Sequence, residues 1–181
     1  MKLIQQVQDN VIWAKNFYQE FRLYDLASYS VNYLTPKDTF EKEAHLQYGL
    51  KARQRLDLYK SKNARQKRPL IVFVHGGSWK HGNKRDYMFL GETFAREGFD
   101  VAIINYHLAP EHVFPTFVDD LAQAIHYLTQ NQSKLNVSTD NMILKGHSAG
   151  AFNVMSVMYS AQSQDFKHRD KIKAIIFFFF L

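Results

Sequence analysis

The stretch Ile143-Leu144-Lys145-Gly146-His147-Ser148-Ala149-Gly150 constrains the fold of this chain most tightly. It reads as a hydrophobic strand, then Gly-x-Ser-x-Gly, then an alanine-rich run able to start a helix. A serine on so sharp a turn leaves no room for side chains two positions away, which accounts for Gly146 and Gly150. Its hydroxyl then projects above the strand end, and the helix that follows aims the positive end of its dipole at the same place.

The remaining patterns fit around that turn. Pro69-Leu70-Ile71-Val72-Phe73-Val74 is a continuous apolar run, as in a strand buried on both faces of a parallel sheet. Arg85 to Glu97 reads as a helix closed by Gly98, and Asp100 to Tyr106 as the next buried strand. A Pro-containing loop leads to a helix from Thr116 to Gln130, with Val118, Leu121, Ile125 and Leu128 facing inward. The strand Asn141–Lys145, a helix to about Ala161 and a last strand from Ile172 follow. Strand and helix alternate without repeats, so the expected fold is α/β, with a mainly parallel sheet and helices on both faces.

Residues 46–181 are expected to hold that domain. Ahead of it, 1–45 form an N-terminal segment in which Leu3, Val7, Val11, Ala14 and Phe21 recur at helical spacing: a helix packed on the domain, or a small lid. Two short strands are expected near Leu46–Leu50 and Gln54–Tyr59. The second alternates apolar and polar residues, the pattern of a half-exposed hairpin strand.

The formal charge of +6 invites a nucleic-acid reading. Its distribution argues otherwise, because eight of the basic residues fall between Lys51 and Arg68, interleaved with that alternating strand. A solvated hairpin face is expected, and no nucleic-acid partner. Cysteine is absent, which removes thiolate chemistry. The longest apolar run, Ala174–Leu181, falls far short of the roughly 20 residues a membrane span needs, and the N-terminus lacks the apolar core of a signal peptide. A soluble, cytoplasmic protein with no membrane partner is expected. No H-E-x-x-H or EF-hand pattern occurs, so neither a metal nor another cofactor is expected.

The second informative stretch is His75-Gly76-Gly77-Ser78-Trp79. Paired glycines just past a strand let the backbone approach a ligand with its N–H groups turned inward. Acyl transfer needs such donors for the developing oxyanion, each worth roughly 3–4 kcal/mol in the transition state. Gly76, Gly77 and Ser78 would supply two, and the N–H of Ala149 a third.

Together with Asn105-Tyr106-His107-Leu108-Ala109-Pro110-Glu111-His112-Val113-Phe114-Pro115, these motifs resemble the α/β-hydrolase superfamily. The likeness is to its carboxylesterase branch, near the hormone-sensitive-lipase-like, feruloyl-esterase-like and kynurenine-formamidase-like enzymes. The resemblance covers about residues 46–181. It implies Ser148 as nucleophile, Gly76, Gly77, Ser78 and Ala149 around the oxyanion, Trp79 packed beside the site, and a small-molecule ester as substrate. His107 stands where the family usually has an arginine that makes an internal ion pair, while Glu111 is kept.

Such enzymes place the triad in chain order Ser, acid, His, on loops after later strands. This chain stops on the strand after the nucleophile's helix, and a C-terminally truncated hydrolase, crippled by loss of the acid and the histidine, is the expectation. The run Phe177–Phe180, whose codons are thymine-rich, is read as a slipped or frameshifted end, which resequencing the locus tests. His168 is the only histidine after Ser148. A helix of about 13 residues rises roughly 20 Å, which places His168 near the opposite end of the sheet. His147 is held by the turn with its ring directed away, and His75 braces its own loop. Asp119 and Asp120 open a helix, where stabilising its N-terminus is the ordinary role. A non-catalytic remnant or binding protein on the same fold, and an aryl-formamide or peptide hydrolase, stay open as alternatives.

Overall fold

The computed structural model describes residues 33, 38–63, 69–160 and 166–178. The expected N-terminal helix lies outside them, and the account concerns the unit Thr35–Leu181. Six strands form one sheet: β1 (Phe40–Gln47), β2 (Arg55–Ser61), β3 (Leu70–Val74), β4 (Val101–Ile104), β5 (Met142–His147) and β6 (Ile172–Phe178). Their spatial order is β1-β2-β4-β3-β5-β6. The run β4-β3-β5-β6 is parallel, while β2 joins β4, and β1 joins β2, antiparallel. Between them lie α1 (Met88–Arg96), preceded by a 3-10 turn at Lys84–Tyr87, then α2 (Thr116–Gln130), the short α3 (Gln132–Leu135) and α4 (Ala149–Tyr159).

Period-two alternation along the strands divides the core between the two faces of the sheet. Leu70, Val72 and Val74 of β3 pack with Leu121, Ile125 and Leu128 of α2 and with Val154 and Val157 of α4. Ile71 and Phe73 point the other way, with Ala95 of α1, Tyr87 and Ile103. The predicted inward residues of α2 are all buried, and Gly98 closes α1 at φ 87° with its N–H on the carbonyl of Ala95.

Two expectations are corrected. The first strand runs Phe40–Gln47, earlier than its pattern implies, because residues 48–54 are consumed by the turn in which the Tyr48 N–H bonds the carbonyl of Gln54. The second strand is not half-exposed: Leu56, Asp57, Leu58 and Tyr59 are all buried. Leu56 and Leu58 face the α2–α4 core and Tyr59 the α1 core, so both faces are covered. Asp57 is accommodated by charge: its carboxylate meets Lys84 Nζ at 2.5 Å and Lys42 Nζ at 2.8 Å and accepts the His45 N–H at 2.9 Å. These bonds hold its pKa below the ordinary carboxylate value despite a large opposing effect of burial.

The topology fixes where a site can form. From β3 the chain crosses by α1 to β4, then returns by α2 to β5 on the other side of β3. Right-handed crossovers in opposite directions put α1 and α2 on opposite faces. The loops leaving β3 and β5 therefore diverge, and the crevice between them lies outside the carboxyl ends of these two strands, the usual ligand position in open α/β sheets.

Candidate active site

Both glycine motifs open into that crevice. Parallel pairing matches Val74 of β3 to Gly146 of β5, so His75-Gly76-Gly77-Ser78 and His147-Ser148 leave the sheet side by side. The approach is close enough to demand glycine. A Cβ on Gly150 would stand 2.2 Å from the carbonyl oxygen of Val74 and 2.6 Å from that of His75. One on Gly76 would stand 2.8 Å from His147 Nδ1, and one on Gly146 would stand 2.5 Å from the Cα of Ala151.

Ser148 is the bend itself. It sits at φ 50°, ψ −115°, a conformation that non-glycine residues adopt only at a cost, and α4 begins at the next residue. Its N–H donates to the carbonyl of Phe178 at 3.1 Å, and its own carbonyl accepts from Ala151 and Phe152. Among the described residues no hydrogen bond engages its hydroxyl, and no acceptor meets the N–H groups of Gly77, Ser78 or Ala149. A half-buried hydroxyl and three uncommitted amide donors at one end of the sheet suit attack on a carbonyl carbon with charge developing on its oxygen.

The loop after β3 is strained and heavily braced. Gly77, Ser78 and Trp79 have φ of 122°, 52° and 58°, three successive residues in the left-handed region. The Gly77 carbonyl accepts from Lys80 and His81, and the Trp79 carbonyl accepts the Ala109 N–H at 2.7 Å. Trp79, expected beside the substrate, packs against the main core and donates its indole N–H to Asn153 Oδ1 at 2.9 Å. Its ring lies 6.1 Å from Phe117 and 5.4 Å from Phe152. From the β1–β2 turn, Arg53 donates Nε–H to the Tyr106 carbonyl and a terminal N–H to the Gly82 carbonyl, joining the loops after β3 and β4.

His75 is completely buried, its ring stacked 4.3 Å from that of Tyr106. Burial lowers its pKa to about 3, so the ring is neutral at physiological pH. Because Nδ1 lies 2.7 Å from the Gly76 carbonyl, an acceptor, Nδ1 carries the proton. His75 thus braces its loop, as its sequence position implies.

Five further histidines make their contacts away from the serine hydroxyl. His147 Nδ1 meets the Tyr87 hydroxyl at 2.9 Å and its ring stacks on Phe178. His107 Nδ1 and its backbone N–H both lie 2.7 Å from Asp120 Oδ2, so the histidine in the arginine's place still has an acidic partner. That contact also gives Asp120 a role beyond stabilising a helix start. The His112 ring lies 3.9 Å from that of His107, tilted by 48°, and His168 pairs with His126 of α2 at 3.0 Å. Among the described residues no group of three or more His, Cys, Asp or Glu side chains could hold a metal ion.

This geometry has relatives. The profile of the BD-FAE family matches residues 56–178, from β2 to the end of β6 and including both glycine motifs. The chain belongs to the BD-FAE family. It lies in the carboxylesterase branch of the α/β-hydrolase superfamily. Isoprenylcysteine alpha-carbonyl methylesterase of Arabidopsis thaliana is 32% identical over 120 residues, which cover 66% of this chain and 28% of that protein. Kynurenine formamidase of Drosophila melanogaster is 26% identical over 133 residues, 74% of this chain and 43% of that protein. Among solved structures, an inhibited esterase B from Lactobacillus rhamnosis superposes with a TM-score of 0.68 at 22% identity, covering 99% of this chain and 56% of that one. The chain thus spans less than half the length of these two curated relatives, and about half that of the solved esterase.

The contacts of Asn153, Arg53 and Tyr87 have no expectation in the sequence, and Asp120 is expected there only as a helix-start residue. Asn153 carries a signal, as an amide in the largely apolar helix that follows the serine.

Proposed function

We propose that this BD-FAE member is a serine hydrolase acting on carboxylic esters through an acyl-enzyme. Ser148 Oγ attacks the acyl carbon as its proton passes to solvent water. The carbonyl oxygen, now negative, is received by the N–H groups of Gly77, Ser78 and Ala149, with Gly76 permitting the approach. Collapse of the adduct expels the alcohol with a proton, and water then releases the acid by the reverse sequence. The observation that carries this reading is the contact of Gly150 with the Val74 and His75 carbonyls, which seats the serine turn against the loop of free amide donors. The relatives named for methylester and formamide cleavage support the reaction class, and an aryl formamide is the second bond to assay.

No imidazole among the described residues is hydrogen-bonded to Ser148, so the 181-residue chain is expected to turn over weakly. Without an imidazole beside the serine, donors and binding alone leave roughly 10³–10⁴-fold over water in a subtilisin-type site. The test is covalent labelling of the chain by a fluorophosphonate beside a Ser148→Ala control, with 4-nitrophenyl acetate turnover in parallel. Labelling confined to Ser148, with slow turnover, is expected. A chain that melts cooperatively yet leaves Ser148 unlabelled would overturn the reading and favour a binding protein on this fold.

A further inference from the structure

Asn153 is the anomaly of α4. It is fully buried, one turn beyond the helix start, beside Val154 and Val157 of the core. An indole N–H can only donate, so the 2.9 Å contact with Trp79 fixes which amide atom faces the ring: Oδ1. Nδ2 is left buried with no partner among the described residues. Such an orphan donor is destabilising, and a leucine would fill the same helix position without it. The residue is therefore poor as packing.

What it holds is the strained loop. Left-handed conformations at Ser78 and Trp79 are strained and persist only where the surroundings over-determine them. Trp79 is pinned at its backbone by the Ala109 N–H and at its side chain by Asn153. The second pin comes from α4, the helix that starts just after Ser148.

We propose that Asn153 is a positioning residue: its amide oxygen locks Trp79 and so sets the spacing between Ser148 and the N–H groups of Gly77 and Ser78. The assignment rests on the hydrolase reading for its chemical consequence, and on the Asn153–Trp79 geometry for its structural one.

The test uses the full chain in three single variants and the double variant that combines Asn153→Leu with Trp79→Phe. Asn153→Leu removes the acceptor and fills the space, Asn153→Asp keeps an acceptor oxygen, and Trp79→Phe keeps a ring without the N–H. Three readouts are taken: the melting temperature, hydrogen exchange of the Trp79 indole N–H (identified by its loss in Trp79→Phe), and the rate of Ser148 labelling by a fluorophosphonate. Asn153→Leu is expected to keep or raise the melting temperature while indole exchange accelerates. Labelling should slow by about 10–100-fold, the scale of a site group displaced by up to 1 Å. Asn153→Asp should restore much of the rate. Trp79→Phe should slow labelling as Asn153→Leu does, and the double variant should be no slower than either single one. If Asn153→Leu frees the indole but labels within twofold of wild type, or if the wild-type indole exchanges freely, the proposal is overturned. An unlabelled wild type instead removes the hydrolase reading. Indole protection that is lost in Asn153→Leu would still establish the tie itself.

Discussion

Replacing Gly150 by alanine tests the architecture of the site with a single methyl group. Gly150 is the second residue of α4, where alanine is intrinsically favoured over glycine by about 1 kcal/mol. With open space around it, the substitution would stabilise the protein. The structure reverses that sign. The new Cβ would lie 2.2 Å from the Val74 carbonyl oxygen and 2.6 Å from that of His75, roughly 1 Å inside ordinary contact with β3 backbone that cannot rotate away. The start of α4 must retreat from the loop by a comparable distance. Overpacking of this kind costs about 1–3 kcal/mol. At roughly 2–4 °C per kcal/mol for a chain of this size, the net effect of clash and propensity is a fall of up to several degrees. Displacing Ser148 from its donors by up to about 1 Å should slow fluorophosphonate labelling on the order of 100-fold. Gly91→Ala is the control, because its Cβ would meet the ring of Tyr59 at 2.7 Å, in the core on the α1 side. That variant should lose stability and retain labelling. A Gly150→Ala protein that melts higher than wild type and labels at an unchanged rate would refute the reasoning.

Two further outcomes are expected. Asp57→Asn leaves Lys84 buried beside a neutral amide and should cost about 3–5 kcal/mol, read by urea denaturation. Because the Asp57 pKa is depressed in the folded state, its contribution is present above the unfolded carboxylate value and is lost as pH falls through the folded one. Neutral His75, with a folded pKa of about 3 against 6.5 unfolded, contributes stability that is present above pH 6.5 and declines as pH falls toward 3. Melting temperature should therefore drop between pH 6.5 and 4, and His75→Gln should flatten that slope.

Local chemistry made much of this protein legible. The helix Thr116–Gln130 begins and ends where its apolar spacing places it, because that spacing is a property of one segment. Ser148, Gly76, Gly77 and Ala149 announce themselves for the same reason: a backbone that must bend sharply or be approached closely admits glycine at fixed offsets and nothing larger. The burial of the strand Arg55–Ser61 is not legible locally, because it depends on partners remote in sequence. Its polar Asp57 is buried only once Lys84 and Lys42 arrive to meet it. Asn153 and Arg53 escaped notice on the same ground, since their partners Trp79 and Tyr106 lie 74 and 53 residues away. The sequence by itself determined the elements and the two turns that carry reactive groups. Only the tertiary structure decided which loops share the crevice beyond β3 and β5 and which buried polar atoms hold them, because those contacts depend on crossover direction and strand order, which local pattern does not encode.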